Sequence, residues 1–243
     1  MNRQIKVEGA YNIRDLGGYQ TKDGRYTKWR RMIRADNTDQ LPRKSREELK
    51  KYGVSVVIDL RSTPELERWP DPFARDSEVV YEHRPVYHDE ATFNDIYDPS
   101  KPIWKWYAQT LEKCKSQLGA ILTAVALHPD SCVLFHCAGG KDRTGIVSAL
   151  LLGLVCVSDA VIARDYALSA KLLEPRIRKW QSEALERGAD MNQFVKEVSS
   201  DPVTMTRTLD YVSRRFGGIG KYVGQLQIDD GVVNALSSSL VGE

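Results

Sequence analysis

The ten residues from His136 to Gly145, HCAGGKDRTG, constrain this chain more than any other stretch. They follow an apolar run, Cys132 to Phe135, that is typical of a short buried strand, and they precede a second run, Ile146 to Val157, that is typical of a buried helix. A strand, a glycine-containing loop and a helix start are therefore predicted to meet at Cys137. The backbone N–H groups and the dipole at such a helix start form a cradle for an anion.

Each residue type in this loop suits chemistry at phosphorus. Cys137 lies in a positive field that stabilises the thiolate, which is the nucleophilic form of a cysteine. Arg143 can donate two parallel hydrogen bonds to an oxyanion, and Thr144 can donate its hydroxyl to the sulfur as the sulfur leaves. Gly139 and Gly140 let the backbone approach a ligand closely. The loop is therefore predicted to supply a nucleophile, an anion cradle and a clamp.

Two motifs of the chain resemble those of a known family. His136-Cys137-x5-Arg143-Thr-Gly resembles the signature loop of the cysteine-based protein tyrosine phosphatase superfamily. Asn12-x-Arg14-Asp-Leu-Gly-Gly resembles the N-terminal hallmark of a bacterial tyrosine and dual-substrate branch of that superfamily, with mycobacterial and listerial members. The resemblance covers most of the chain.

The resemblance implies an α/β fold, with a central, mostly parallel twisted sheet flanked by helices. It implies one phosphatase domain over residues 1–243, and a helical hairpin over residues 164–200 that can cover the active site as a lid. Two further elements are predicted from periodicity and capping signals. One is a helix from Ser45 to Tyr52 with Ser45 as its N-cap, and the other is an amphipathic helix from Ile103 to Ala126.

The implied reaction is the metal-independent hydrolysis of phosphotyrosine through a phosphocysteine intermediate. Phosphoserine, phosphothreonine and phosphoinositides are further candidate substrates. The resemblance assigns catalysis to Cys137, Arg143 and Asp142, with Asp142 as the general acid, and a supporting role to His136. The expected phosphate-binding residues are Ala138, Gly139, Gly140, Lys141, Asp142, Arg143 and Thr144.

Lys141 bears on the choice of substrate. A lysine at this position is shared, by resemblance, with phosphatases that accept phosphoinositides, whose several phosphates favour an additional cation at the rim of the site. The alternative is an exposed lysine that contributes nothing specific.

Several acidic residues compete with Asp142 for the role of general acid. Trp69-Pro70-Asp71 spells the general-acid loop of the larger eukaryotic tyrosine phosphatases, which makes Asp71 an alternative acid. It follows what looks like a different strand, Val54 to Leu60, and a rigid surface turn would also explain its flanking prolines. Weaker candidates lie in a polar stretch further on, at Asp89, Glu90, Asp95 and Asp98.

Two charged pairs are expected to be structural. Arg14 and Asp15 are interpreted as an ion pair that anchors a loop, and Asp59 and Arg61 as a salt bridge within a turn. The alternative for each pair is a supporting role near the active site.

The composition excludes several other classes of protein. Lys and Arg number 35 against 33 Asp and Glu, so no overall field attracts nucleic acid or an anionic membrane. The four cysteines have neither metal-ligand spacing nor a disulfide pattern, and neither a metal nor a cofactor is expected. No apolar run reaches the roughly 18 residues of a membrane span, and no signal-peptide core is apparent. A cytoplasmic location is therefore expected, with export by another route left open.

The expected partner is a phosphorylated protein or a phosphoinositide, and the sequence does not indicate an oligomeric state. Two rival functions stay open. A sulfurtransferase of the rhodanese type also places a catalytic cysteine on a loop after a strand, usually without this histidine and Arg-Thr-Gly. A non-catalytic phosphate-binding module would use the same cradle.

Overall fold

Cys137 directly follows the central strand of a five-stranded sheet. A computed structural model describes residues 2–242. Its strands, in chain order, are β1 (Arg14–Asp15), β2 (Tyr26–Thr27), β3 (Met32–Ala35), β4 (Val54–Asp59), β5 (Val80–His83), β6 (Cys132–His136) and β7 (Val241–Gly242). Five of them form the main sheet in the order β1-β3-β6-β4-β5, and β2 pairs with β7 separately.

The main sheet is parallel except at β1, which runs antiparallel to β3. Strands β3 and β6 and nearly all of β4 are buried, which explains their continuous apolar character, since helices cover both faces of the sheet. The register aligns Ala35 and Asp59 with His136. The carboxyl ends of three strands therefore meet at one edge, where open α/β sheets bind their ligands.

Within residues 2–242, twelve α-helices surround the sheet. They are α1 (Arg43–Tyr52), α2 (Thr63–Arg68), α3 (Glu90–Ile96), α4 (Ile103–Lys113), α5 (Lys115–Ala126), α6 (Arg143–Leu154), α7 (Asp159–Leu172), α8 (Glu174–Glu186), α9 (Met191–Val198), α10 (Pro202–Phe216), α11 (Ile219–Val223) and α12 (Asp230–Leu240). This architecture confirms the predicted fold class. No helix in residues 2–242 combines the length and the apolar character needed to cross a bilayer.

Helix α6 directly follows the loop at Cys137, as the sequence predicts. Nine of its twelve residues are buried, so the helix has almost no solvent face and is rigidly held. Its immobility fixes the position of Arg143 and Thr144, which form its first turn.

Two of the predicted helices have wrong boundaries. The helix expected over 103–126 is two helices, α4 and α5, which meet at Cys114 because that residue leaves helical geometry with ψ of 30°. Helix α1 begins at Arg43 after Pro42, and Ser45 is buried inside it rather than capping it. A capping box does occur at Ser62 and Glu65, where it starts α2.

The predicted hairpin over 164–200 begins later than expected. Residues 164–172 belong to α7, whose Tyr166 packs in the main core. The hairpin itself consists of α8 and α9, with a turn at Gly188, whose φ is +69°. We call these two helices the α8–α9 hairpin.

Candidate active site

Cys137 follows the last residue of β6 and lies just before α6. Its side chain is buried, with 2% of the residue exposed. The Thr144 hydroxyl lies 3.2 Å from the Cys137 sulfur and can donate to it. The Cys137 sulfur, the Thr144 hydroxyl and the start of α6 thus meet as the sequence predicts.

The shape of the loop depends on Gly140. Its φ is +61°, and a Cβ atom at this position would lie 2.4 Å from the carbonyl oxygen of Ala35 at the end of β3. A side chain would therefore collide with the sheet backbone. A backbone bond of 3.1 Å from the Asn37 N–H to the Ala138 carbonyl ties the loop to the same segment.

The N-terminal motif supports the loop from behind. The amide group of Asn12 donates to the carbonyl oxygens of Gly139 and Gly140, both at 3.1 Å. Arg34 of β3 also donates to the Gly140 carbonyl, at 2.7 Å. The motif therefore holds the backbone of the phosphate loop, although it is far from the loop in sequence.

Arg14 does not pair with Asp15, so that prediction is wrong. Its guanidinium instead pairs with Asp165 of α7 at 3.0 Å, and Arg34 pairs with the other carboxylate oxygen at 2.6 Å. All three side chains are almost fully buried. Burial alone would raise the pKa of Asp165, but the two arginines lower it well below its usual range. Asp15 instead accepts from the Gly17 N–H at 2.7 Å.

Arg143, the predicted clamp, is paired with Glu65 of α2. Two parallel hydrogen bonds join the guanidinium to the two carboxylate oxygens, at 2.5 and 2.8 Å. Burial opposes ionisation of Glu65, but the bonds from Arg143 lower its pKa to about 2. The sequence alone does not predict this role for Glu65. The signal that could have found it is the Ser-x-x-Glu capping box directly after a buried strand.

Asp142 lies at the rim of the loop, where two groups hold one of its oxygens. The Tyr107 hydroxyl of α4 donates to Asp142 Oδ1 at 2.5 Å, and Lys141 Nζ lies 3.2 Å from the same atom. The Tyr107 hydroxyl also contacts the Tyr166 hydroxyl of α7, at 2.8 Å. The helical periodicity of the sequence predicts both tyrosines as buried apolar positions and does not predict these hydroxyl contacts.

Lys141 is not an exposed cation at the rim, in contrast to the expectation. Only 3% of the residue is exposed. Its ammonium donates to the backbone carbonyls of Glu197 and Ser199, the latter at 2.9 Å. These carbonyls end α9 and lack helical partners, so a cation there is favoured both by hydrogen bonding and by the helix dipole.

Asp71 lies in a buried cluster behind the loop. Its carboxylate accepts from the Thr38 hydroxyl and the Phe73 N–H, and lies 3.2 Å from His136 Nε2. Asp59 Oδ2 is 3.7 Å from the same nitrogen. Burial opposes a charged imidazole, but the two carboxylates raise the pKa of His136.

Asp59, Asp71 and His136 lie close enough together to hold a metal ion. Arg61 already contributes positive charge to this cluster, at 2.5 Å from Asp59 and 3.5 Å from Asp71. We therefore interpret the cluster as a support for His136. The Asp59–Arg61 contact is the salt bridge that the sequence favoured.

A cavity of about 460 Å³ opens beside Arg143 and Asp142. Its wall combines aromatic side chains with carboxylates, and it contains neither Asp71 nor Cys137. The lining residues are Ser62, Pro64, Glu65, Arg68, Trp69, Tyr87, Asp89, Glu90, Phe93, Trp106, Asp142 and Arg143.

The weaker acid candidates divide into two groups. Asp89 and Glu90 line the cavity, and Asp89 caps α3 by accepting from the Thr92 N–H at 2.8 Å. Asp95 and Asp98 instead form salt bridges with nearby lysines, at 2.6 and 2.9 Å.

The α8–α9 hairpin contacts the loop at several points. Arg176 of α8 forms a 3.0 Å salt bridge with Asp36, which is fully buried. The Trp180 ring lies 3.9 Å from the place that a Cβ would occupy on Gly139. With the bonds from Lys141 to the end of α9, these contacts hold the hairpin across the phosphate loop.

Comparison with known proteins identifies the family. The model of the tyrosine phosphatase family matches residues 5–242. The chain belongs to this family. A tyrosine-protein phosphatase of Nostoc commune is 35% identical over 144 residues, which are 58% of this chain and 49% of that protein. This chain thus matches about half the length of the Nostoc protein.

A second tyrosine phosphatase relative matches end to end. The triple specificity protein phosphatase PtpB of Mycobacterium tuberculosis is 25% identical over 281 aligned positions, which are 98% of this chain and 99% of that protein. These matches confirm the predicted family, and they confirm the predicted enzyme class at the level of the family.

Proposed function

We propose that this protein is a metal-independent phosphatase that hydrolyses phosphotyrosine through a phosphocysteine intermediate. One observation carries the proposal. Cys137, the Thr144 hydroxyl at 3.2 Å from its sulfur, and Arg143 at the start of α6 occupy a single loop held rigidly between β6 and α6. This arrangement suits attack by sulfur on phosphorus.

In the first step the Cys137 thiolate attacks phosphorus. The S–P bond forms as the P–O bond to the leaving group breaks. Arg143 and the N–H groups of the loop stabilise the three non-bridging oxygens. Protonated Asp142 transfers its proton to the leaving oxygen, so that tyrosine departs as the neutral phenol.

In the second step a water molecule releases the phosphate. Asp142, now a carboxylate, accepts a proton from the water as its oxygen attacks phosphorus. The S–P bond breaks, and the sulfur leaves as a thiolate that the Thr144 hydroxyl stabilises. Asp71 is a poor alternative to Asp142, because its carboxylate is buried and engaged by His136 and Thr38.

The cavity supports an aromatic phosphate ester as substrate. Tyr87, Phe93 and Trp106 lie on its wall beside Arg143, and aromatic rings pack well against a phenyl group in edge or offset geometry. Phosphotyrosine carries its phosphate on such a ring. The acidic residues Asp89 and Glu90, which also line the cavity, disfavour a substrate with several phosphates.

Phosphoserine, phosphothreonine and phosphoinositides are a second, weaker set of substrates. Their support is the mycobacterial relative, which is named a triple specificity protein phosphatase. For a phosphoinositide, Lys141 would first have to leave the carbonyl groups of α9.

We also propose that the α8–α9 hairpin acts as a lid, because it contacts the loop through Trp180 and Lys141.

The four free cysteines suit a reducing compartment. We therefore keep the cytoplasm as the proposed location.

The test is hydrolysis of para-nitrophenyl phosphate in EDTA by the wild type and by Cys137→Ser. We expect the wild type to be active and the variant to lose activity by at least about 1,000-fold, since the nucleophile is removed. Trapping of a phosphorylated Cys137 peptide after an acid quench would support the intermediate. Full activity of the serine variant would disprove the mechanism.

The two rival functions have distinct signatures. A non-catalytic module would bind vanadate without any hydrolysis dependent on Cys137. A sulfurtransferase would show turnover of thiosulfate in the presence of cyanide.

A further inference from the structure

Asp142 Oδ1 has one hydrogen-bond donor and one ion-pair partner, and they come from different parts of the fold. The Tyr107 hydroxyl donates to it at 2.5 Å from α4, and the Lys141 ammonium lies 3.2 Å away on the loop itself. Tyr107 is fully buried, so its hydroxyl is held in place by the surrounding core.

The other carboxylate oxygen of Asp142, Oδ2, lies in a different environment. Within residues 2–242, Asp142 Oδ2 has no hydrogen-bond partner, while Asp142 itself lines the cavity beside Arg143. The carboxylate therefore has one anchored oxygen and one oxygen available to a ligand.

We propose that Tyr107, supported by Tyr166, is a positioning residue that anchors Asp142 Oδ1 so that Oδ2 carries the proton to the leaving group. This inference rests on the proposed phosphatase function, with Asp142 as its general acid. It assigns to two buried core tyrosines a role in the first chemical step.

The direction of the hydrogen bonds follows from the number of protons. Tyr107 has one hydroxyl proton and gives it to Asp142, so the proton between the two tyrosines, at 2.8 Å, comes from Tyr166. Burial, and then the Asp142 carboxylate, raise the pKa of Tyr107 well above its usual value. Tyr107 therefore remains a proton donor throughout the working pH range.

The arrangement suits both steps of the reaction. Oδ1 accepts the Tyr107 bond whether Asp142 is ionised or protonated, because a protonated carboxyl group keeps one acceptor oxygen. The proton is thereby confined to Oδ2, the oxygen without a partner. Asp142 can then donate from Oδ2 in the first step and accept at Oδ2 in the second without turning.

A series of aryl phosphates with different leaving groups tests the role of Tyr107→Phe. The constant kcat/KM reports the step in which the leaving group departs. A poor leaving group such as phenol needs the proton, whereas a dinitrophenol leaves without it. We expect Tyr107→Phe to lower kcat/KM about tenfold for phenyl phosphate, in line with the loss of one hydrogen bond, and less than about twofold for a dinitrophenyl phosphate.

Tyr222→Phe is the matched control. Tyr222 lies on α11, and its buried hydroxyl donates to the Leu111 carbonyl at 2.7 Å. Leu111 is on α4, the helix that carries Tyr107, but Tyr222 does not contact Asp142. We expect it to leave the leaving-group dependence unchanged. Tyr166→Phe keeps the Tyr107 bond to Asp142, so its effect should lie between those of Tyr222→Phe and Tyr107→Phe.

A double variant separates positioning from a general loss of structure. Adding Tyr107→Phe to Asp142→Asn should cause no further loss on phenyl phosphate, since the group to be positioned is already disabled. An equal loss on both leaving groups, or an additive loss in the double variant, would overturn the positioning role. Vanadate affinity, expected to be unchanged in Tyr107→Phe, verifies that the loop is intact.

Different experimental results would disprove the proposed function and the role of Tyr107. If the protein is not a phosphatase of this mechanism, the wild type shows no hydrolysis of any ester that depends on Cys137. If only the role of Tyr107 is wrong, the wild type is active and Tyr107→Phe behaves like Tyr222→Phe.

Discussion

At the scale of single residues, the Glu65 carboxylate bonds two separate groups, Ser62 at the start of α2 and Arg143 at the start of α6. One oxygen accepts from the N–H and hydroxyl groups of Ser62, at 2.8 and 2.9 Å, which starts α2. Both oxygens also hold Arg143 in a bidentate ion pair. The start of a short helix and the orientation of the phosphate clamp are therefore coupled.

Glu65→Gln should preserve the start of α2 but remove the ion pair that orients Arg143. Glutamine retains an acceptor for Ser62, but the ion pair is lost, and hydrogen bonds to charged groups contribute roughly 1.5–3 kcal/mol. We expect kcat/KM for para-nitrophenyl phosphate to fall at least about tenfold. Because the pKa of Glu65 is about 2, the loss should be equal at pH 5 and pH 7. Glu67→Gln, at an exposed site on α2, is the control, and a Glu65 variant with wild-type kinetics would contradict the role.

At the scale of elements, the α8–α9 hairpin is held by few contacts. Helix α8 buries only Ala184, and α9 has no buried residue. Polar contacts therefore contribute to the hairpin's attachment, among them the salt bridge from Arg176 to buried Asp36 and the bonds from Lys141 to the end of α9. Elements with few buried apolar contacts are the first to open.

Arg176→Ala should loosen the hairpin. We expect faster amide hydrogen exchange in α8 and α9, with β6 unchanged, and alkylation of Cys137 by iodoacetamide at least about threefold faster. Peptide-resolved mass spectrometry is needed, because Cys156 is exposed and reacts too. Arg178→Ala removes an exposed arginine of the same helix that pairs with Glu174, and it should match the wild type. An Arg176 variant alkylated at the wild-type rate would refute the lid.

At the scale of the whole molecule, Asp165 joins three elements. It links α7 to Arg14 of β1 and Arg34 of β3, and it accepts from the Tyr19 hydroxyl at 2.9 Å. Arg34 also holds the loop through Gly140. A charge network deep in the domain thus connects stability to the geometry of the active site.

Asp165→Asn should therefore destabilise the fold. Removing one partner of a buried ion pair costs about 3–5 kcal/mol, measured here as the free energy of urea unfolding at pH 7. The pKa of Asp165 in the folded state lies below the unfolded value of about 3.9. The stabilisation is thus complete above that value and declines as the pH falls below it.

The gap between the wild type and the variant should accordingly shrink below about pH 4. Asp159→Asn, at an exposed site on α7, should show no such gap. A difference in stability that does not change with pH would argue against an ionised Asp165.

The sequence by itself determined the chemistry at the loop. Cys137, Gly140, Arg143 and Thr144 are close in the chain, and one strand, one turn and one helix start suffice to bring them together. The same holds for the parallel sheet, since β4 and β6 are mostly apolar. Local patterns predict such features because the interactions that create them are local.

Only the tertiary structure decided which distant groups act on that loop. Glu65, Tyr107 and Asn12 reach it from distant parts of the chain, and nothing in their own segments shows which atoms of the loop they contact. Lys141 looked like an exposed cation, yet α9 folds back and supplies carbonyl groups that bury it. Asp71 stands in a motif typical of a general acid, yet packing turns it toward His136. The role of each side chain depends on its neighbours in space, and contacts between distant segments form only when the sheet and helices have packed.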